Sequence, residues 1–212
     1  MIKNIVFDMG NVLLSFDPHV FIESVGVTNK EDRELLYYEI YHSSEWVSMD
    51  RGTLSLEEAE AIFRSRLPQH LHHYIDILIT EWDRPILPVS GMCQLLQELK
   101  AAGYRLYLLS NASCHQPDYW SRVPGSDYFD GKLVSYEVGF LKPEQEIYRI
   151  FCERFSLKPE ECLFIDDNPG NIEGASVFGM PGIVFHGNVR NLRRKLSEKG
   201  ILLPSSDKNK YN

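Results

Sequence analysis

Four times in this chain a short apolar run leads towards a polar residue, and that recurrence limits the possible folds more than any other feature. Residues 2–7 contain β-branched and aromatic side chains, have the length of one buried strand and stop at Asp8, with Gly10 and Asn11 just beyond. Residues 104–109 lead into Ser110-Asn111, 131–135 run shortly before Gly139-Phe140-Leu141-Lys142-Pro143, and 162–165 lead into Asp166-Asp167-Asn168. Helical periodicity fills the gaps: 90–102 closed by Gly103, 113–121, a helix with Pro143 at its first position continuing through Ile147, Ile150 and Phe151, and 168–178 with Gly179 at its end. A strand at 182–185 and a helix at 189–199 complete the series. Such alternation predicts an α/β fold with a parallel sheet. Open α/β sheets bind ligands outside the carboxyl ends of their strands, so the four polar stretches are expected to meet there.

Between the first two strands the pattern changes. Residues 19–83 carry almost no strand signal and read as helices: 19–25, 30–42 with Leu35, Leu36, Ile40 and Tyr41 on an apolar face, and 69–82. Ser55 followed by Glu58 is a capping-box signature, opening a helix through Ala59, Ile62 and Phe63 towards Leu67 and Pro68. An all-helical stretch in this position predicts a second small domain. The expected division is a core of residues 1–15 and 86–203, a helical domain of 16–85 and a disordered polar tail of 204–212. With 43% hydrophobic residues in 212, the chain has enough apolar material for that core. Its net charge of −8 argues against nucleic acid as a main partner. Cys93, Cys114, Cys152 and Cys162 fit no zinc spacing. With no signal-peptide pattern and no apolar run of membrane-spanning length, the expected location is cytoplasmic and no membrane partner is expected.

Taken alone, Asp8 reads as a turn or helix-capping aspartate, Ser110 as a turn residue and Lys142 as a solvated lysine. Taken together they suit phosphoryl transfer. Asp8 has the placement of a carboxylate nucleophile. Ser110 and Asn111 offer a hydroxyl and backbone N–H groups to phosphate oxygens, and Lys142 supplies a point cation. Two adjacent acids, Asp166 and Asp167, are costly to hold together without a cation such as Mg²⁺.

In this order the four stretches resemble the four motifs of the haloacid dehalogenase (HAD) superfamily, most of whose members are aspartate-nucleophile phosphatases. Residues 7–12, 110–112, 139–144 and 166–175 are also similar to the subgroup containing alpha-glucose-1-phosphate phosphatases, and the whole resemblance runs from residue 2 to about 179. It implies a Rossmann-like core with a helical cap inserted after the first strand, hinged near 15–18 and 84–88. It implies a hydrolase acting on a small phosphorylated metabolite, a sugar phosphate by preference, through an aspartyl-phosphate on Asp8. Asp8 and Lys142 would be catalytic. Ser110, Asn111 and Lys142 would bind the phosphate, and Mg²⁺ would lie among Asp8, the Gly10 carbonyl, Asp167 and Asp166, the last often through a water. Asn171 would take the place of a second aspartate that often orients the lysine or a metal-bound water. Glu45, Trp46, Asp50 and Arg51 are candidates to face the site, since the family's cap presents a specificity loop there.

One position departs from the usual pattern. Most phosphatases of the superfamily carry a second aspartate two residues after the nucleophile, which protonates the leaving alcohol; here that position is Gly10. Asn11 has no useful proton chemistry, so Asp17, Asp50 or a metal-bound water are the candidates. The glycine also admits two other readings, a haloacid dehalogenase-type hydrolase and a non-catalytic binding protein on the same fold. Haloacid dehalogenases typically lack the acidic pair that Asp166 and Asp167 supply.

Overall fold

The computed structural model describes residues 1–203; the expected disorder of 204–212 lies outside the described residues. Five parallel strands form one sheet in the order β3-β2-β1-β4-β5: β1 (Asn4–Phe7), β2 (Arg105–Ser110), β3 (Gly131–Val134), β4 (Cys162–Asp166) and β5 (Gly182–Val184). Phe7 pairs with Leu108 on one side and Ile165 on the other, so Asp8, the end of β2 and Asp166 emerge side by side. The register thus gathers the polar residues that follow the apolar runs.

Strand side chains alternate between two cores. Ile5, Phe7, Leu106, Leu108, Leu163 and Ile165 pack on one face, against Leu95 and Leu99 of one helix and Leu192 and Leu196 of another. Val6, Tyr107, Leu109, Leu133 and Phe164 pack on the other face with Ile147, Tyr148 and Phe151. Every residue of β1 and β4 is buried, because helices cover both faces of a parallel sheet.

The first five helices after β1 are α1 (Pro18–Ser24), α2 (Lys30–Leu36), α3 (Ser44–Arg51), α4 (Leu56–Arg66) and α5 (His72–Thr80). They close around an apolar cluster of their own, including Ile22, Leu36, Ile40, Phe63, Ile75 and Leu78. The capping box forms as the sequence indicates, with the Ser55 hydroxyl accepting from the Glu58 N–H and the Glu58 carboxylate from the Ser55 N–H. The expected helix 30–42 divides: α2 passes into a π-helical turn, Tyr37–Tyr41. Helix α3 has no counterpart in the sequence reading.

The remaining helices are α6 (Met92–Ala101), α7 (Gln116–Trp120), α8 (Gln145–Arg154), α9 (Pro169–Phe178) and α10 (Val189–Glu198). Pro143 is not the first residue of α8. The Glu144 N–H donates to the Leu141 carbonyl at 2.8 Å, closing a turn that puts Glu144 at the N-cap. Lys142 therefore sits on a loop. No helix among the described residues is long and apolar enough to cross a membrane.

Candidate active site

Asp8 follows β1 directly, anchored by its N–H to the Ile165 carbonyl at 2.9 Å. The Lys142 ammonium lies 2.7 Å from Asp8 Oδ1 and 2.7 Å from Asp166 Oδ2, and all three residues are buried. Burial alone would lower the lysine's pKa; the two carboxylates outweigh it and hold the ammonium above its ordinary value. Asp8 responds in the opposite sense: burial pushes its carboxyl up to about 6, with Asp166 adding to the rise and Lys142 opposing it.

Asp166 is engaged on every side. Besides Lys142 it accepts from Asn171 Nδ2 on both carboxylate oxygens, at 3.0 and 3.1 Å, and from the Asn168 N–H at 2.8 Å. It belongs to a set with Asp8 and Asp167 in which one carboxylate oxygen from each residue lies within 4.8 Å of the others. With its lone pairs already used, Asp166 is better suited to holding Lys142 than to binding a metal directly.

Asp167 is partly exposed and accepts one hydrogen bond, from Asn11 Nδ2 at 3.1 Å. Its carboxyl is also pushed up, by burial first and by the Asp166 charge, against the Asn11 bond. Asn11 adopts a left-handed conformation at φ 54°, which asparagine tolerates better than most residues, and its Oδ1 accepts from the Phe16 N–H at 3.0 Å. Three carboxylates against one lysine leave excess negative charge among oxygen donors only, which fits a hard divalent cation such as Mg²⁺.

Ser110 ends β2, buried beside these acids. The Asn111 side chain has a part that the sequence did not disclose: its Oδ1 accepts from the Lys142 N–H at 2.9 Å, and its Nδ2 donates to the Lys142 carbonyl at 3.1 Å. A side-chain amide thus clamps the lysine's backbone from both sides.

Residues 2–179 match the haloacid dehalogenase-like hydrolases. The chain belongs to that family. Among curated relatives it is 27% identical to drimenol cyclase of Aspergillus calidoustus over 88% of this chain and 34% of the cyclase. It is 27% identical to a flavin mononucleotide hydrolase of Arabidopsis thaliana over 77% of this chain and 65% of that protein. It is also 27% identical to D-ribitol-5-phosphate phosphatase of Bacteroides thetaiotaomicron, over 81% and 86% of the two chains. The chain thus spans about a third of the first relative and under two thirds of the second. A HAD family enzyme of Bacteroides thetaiotaomicron, solved with magnesium and inorganic phosphate, shares the fold with a TM-score of 0.67 at 24% identity, covering 89% and 96% of the two chains.

In this haloacid dehalogenase-like chain the helical unit forms the opposite wall of the site. A cavity of about 100 Å³ is lined by Met9, Gly10 and Asn111 on the sheet side, and by Phe16, Trp46, Asp50 and Trp82 across from them. Of the four helical positions expected to face the site, Trp46 and Asp50 do so. Glu45 does not: it pairs with Arg66 at 2.9 Å. Arg51 turns outward and makes a fork to Glu144, with a further bond to the Gly139 carbonyl at 3.1 Å. It ties α3 to the loop carrying Lys142. Asp17 is the N-cap of α1, accepting from the His19 and Val20 N–H groups, and borders a different cavity of about 470 Å³ between the linkers. Tyr119, absent from the sequence reading, also lines the smaller cavity.

Proposed function

We propose that this chain is a Mg²⁺-dependent phosphatase that hydrolyses a small phosphorylated metabolite, a sugar phosphate, through an aspartyl-phosphate on Asp8. The observation that carries the reading is the ammonium of Lys142 held 2.7 Å from both Asp8 and Asp166, beside a third acid, at the carboxyl ends of the interior strands β1 and β4. Several acids around a single lysine suit a dianionic substrate only if a metal joins them. Asp8, Asp167 and the Gly10 carbonyl would hold Mg²⁺, with Asp166 beside them holding Lys142, and the ion would supply charge neutralisation for the phosphate.

Asp8 attacks phosphorus and the ester P–O bond breaks. Water then cleaves the acyl phosphate and restores the carboxylate. Lys142 offsets charge on the nucleophile and on the phosphate, and it is fixed for that role by Asp166 and by the Asn111 clamp. The Ser110 hydroxyl and the Asn111 N–H take phosphate oxygens. The helical unit, residues 16–85, acts in this reading as a cap, closing over the site and choosing the leaving group. Two relatives, one named a flavin mononucleotide hydrolase and one a D-ribitol-5-phosphate phosphatase, support the reaction class. The four free cysteines are in keeping with a cytoplasmic setting, which is part of the same proposal.

The test is hydrolysis of p-nitrophenyl phosphate with and without Mg²⁺, with chloride release from a 2-haloacid measured alongside. Mg²⁺-dependent phosphate release is expected, lost in excess chelator and lost in Asp8→Asn with the fold retained. Chloride release without metal, or appreciable turnover by Asp8→Asn, would overturn the proposal.

A further inference from the structure

We propose that the wall of the cavity opposite Met9 and Gly10, the two residues that follow Asp8, is a leaving-group subsite, in which the Asp50 carboxyl hands a proton to the departing oxygen and the Tyr119 hydroxyl binds a hydroxyl of the departing alcohol. The inference rests on the phosphatase reading and names what that site accepts: the phosphomonoester of a small polyhydroxylated alcohol.

The sheet side of the site offers no spare proton. Asp8 is the nucleophile, Asp166 is saturated with donors, and Lys142 is held charged between them. Gly10 has no side chain, and packing does not force this: a Cβ there would meet only Phe16 Cβ, at 4.0 Å. Asp50 borders the same cavity from the other side, together with Met9, Gly10 and Asn111. No group among the described residues hydrogen-bonds its carboxylate, and the charges that act on it are Asp8 and Lys142. Burial, reinforced by Asp8, pushes it up to about 7, against Lys142. A carboxyl of that kind is part-protonated at neutral pH, as a general acid must be. It lies outside the three-acid set and is free to face the leaving group.

Its position is fixed from behind. The Asp50 carbonyl accepts a hydrogen bond from the Ser135 hydroxyl, which also accepts from the Ala112 N–H at 3.0 Å. The next residue, Arg51, is forked onto Glu144. Gly52 then passes so close to Tyr136 that a Cβ would stand 2.5 Å from its carbonyl oxygen. Helix α3 is thereby seated on the sheet side of the site.

Tyr119 supplies an independent observation. Its ring is fully buried and its hydroxyl has no hydrogen-bond partner, yet it lines this same cavity. A buried hydroxyl without a partner is unfavourable unless a ligand completes it. Asn111 and Ser113 add polar edges, while Phe16, Trp46 and Trp82 give flat apolar walls suited to the CH faces of a polyol or sugar. About 100 Å³ is small beside the ~300–1,000 Å³ of drug-sized pockets, so the closed arrangement admits a compact alcohol.

The step balances. An Asp8 oxygen forms a bond to phosphorus as the ester P–O bond breaks. The bond's electron pair stays on the leaving oxygen, which takes the Asp50 proton. The Asp50 carboxylate then removes a proton from the water that cleaves the acyl phosphate, and is restored.

Rapid-quench rates of enzyme phosphorylation with Mg²⁺ test this, using p-nitrophenyl phosphate, ethyl phosphate and glycerol 3-phosphate. Asp50→Asn is expected to keep the nitrophenyl ester within about threefold of wild type and to slow both alkyl esters by about 10²–10⁴-fold. Asp50→Glu should recover part of that loss. Tyr119→Phe should raise KM for glycerol 3-phosphate by about 3–10-fold and leave ethyl phosphate unchanged. Equal losses on all three esters in a folded Asp50→Asn, or no loss on the alkyl esters, would overturn the proton donor, and an unchanged KM in Tyr119→Phe would overturn the hydroxyl contact. A wild type that no ester phosphorylates overturns the phosphatase reading itself, and is recognised before any variant is compared.

Discussion

A carboxylate buried beside like charges makes the folded chain less stable than it would be without it. Asp8 has its carboxyl raised from 3.8 to about 6, chiefly by burial. A folded pKa above the unfolded one means that the group's stabilising contribution is fully present below about pH 4 and is lost as pH rises through 6. Asp8→Asn removes the ionised form. In chelator, the variant is expected to be more stable than wild type at pH 8, by about 1–2 kcal/mol, and to lose the advantage at pH 4. Mg²⁺ should reverse the order, since ligand at 100 times Kd stabilises wild type by about 2.7 kcal/mol. Thermal melts at two pH values, with and without Mg²⁺, check both parts. A gain that grows towards low pH would mean that Lys142 over-compensates Asp8 and that the site is not short of positive charge.

Helix α3 supplies part of one wall of the smaller cavity, and its C-cap glycine is constrained twice over. Gly52 is the C-cap, at φ 76°, and sits against the Tyr136 carbonyl. Gly52→Ala combines a left-handed strain with a backbone clash, so it is expected to cost about 1–3 kcal/mol and to lower turnover on alkyl esters more than on p-nitrophenyl phosphate, because it unseats Asp50. Urea denaturation and ester kinetics read the two effects. This is also the element that the sequence hid. Ser43 as N-cap and Gly52 as terminator were both present, but Ser44–Arg51 has a mixed face with only Met49 fully buried, so its apolar period is weak. The strands were legible for the opposite reason: buried on both faces, they read as unbroken apolar runs. At the site, Asp8, Lys142, Asp166 and Asp167 could be listed from their motifs and do converge. What motifs do not encode is pairing across the fold: the Asn111 clamp joins residues 31 apart, and Asn11 reaches Asp167 across 156. Tyr119 carried no signal, because a buried tyrosine on a short helix looks like core until its hydroxyl is found without a partner.

At the scale of the molecule, two apolar clusters with different owners meet along a pair of linkers. The first leaves β1 and the second returns to α6, and they run side by side: the Ser15 N–H donates to the Leu87 carbonyl at 2.8 Å and the Val89 N–H to the Leu13 carbonyl at 2.9 Å. Trp82 packs on both the helical cluster and one face of the sheet core, and stacks edge-on with Phe16 and Tyr119. Next to it Asp83 is buried, with one oxygen 3.0 Å from His115 Nε2 and the other on the Arg122 guanidinium. This contact fastens the second linker to α7 and the segment after it, and its partners are not part of the acid cluster at the carboxyl ends of β1 and β4. Removing one member of a buried ion pair strands the other, at about 3–5 kcal/mol; Arg122 is 40% exposed and can turn to water, so Asp83→Ala should fall at the lower end of that range. Asp83→Asn, which keeps one hydrogen-bond acceptor, should lose less. If the contact sets how the helical unit sits over the sheet, Asp83→Ala will also raise KM for alkyl esters while leaving chelator-sensitive cleavage of p-nitrophenyl phosphate nearly intact. Urea midpoints give the stability loss and hydrogen exchange locates it: faster exchange is expected in 82–89 and α7, with β1 and β4 still protected. Uniform exchange across the sheet would show that Asp83 supports the whole fold rather than the seam between its two clusters.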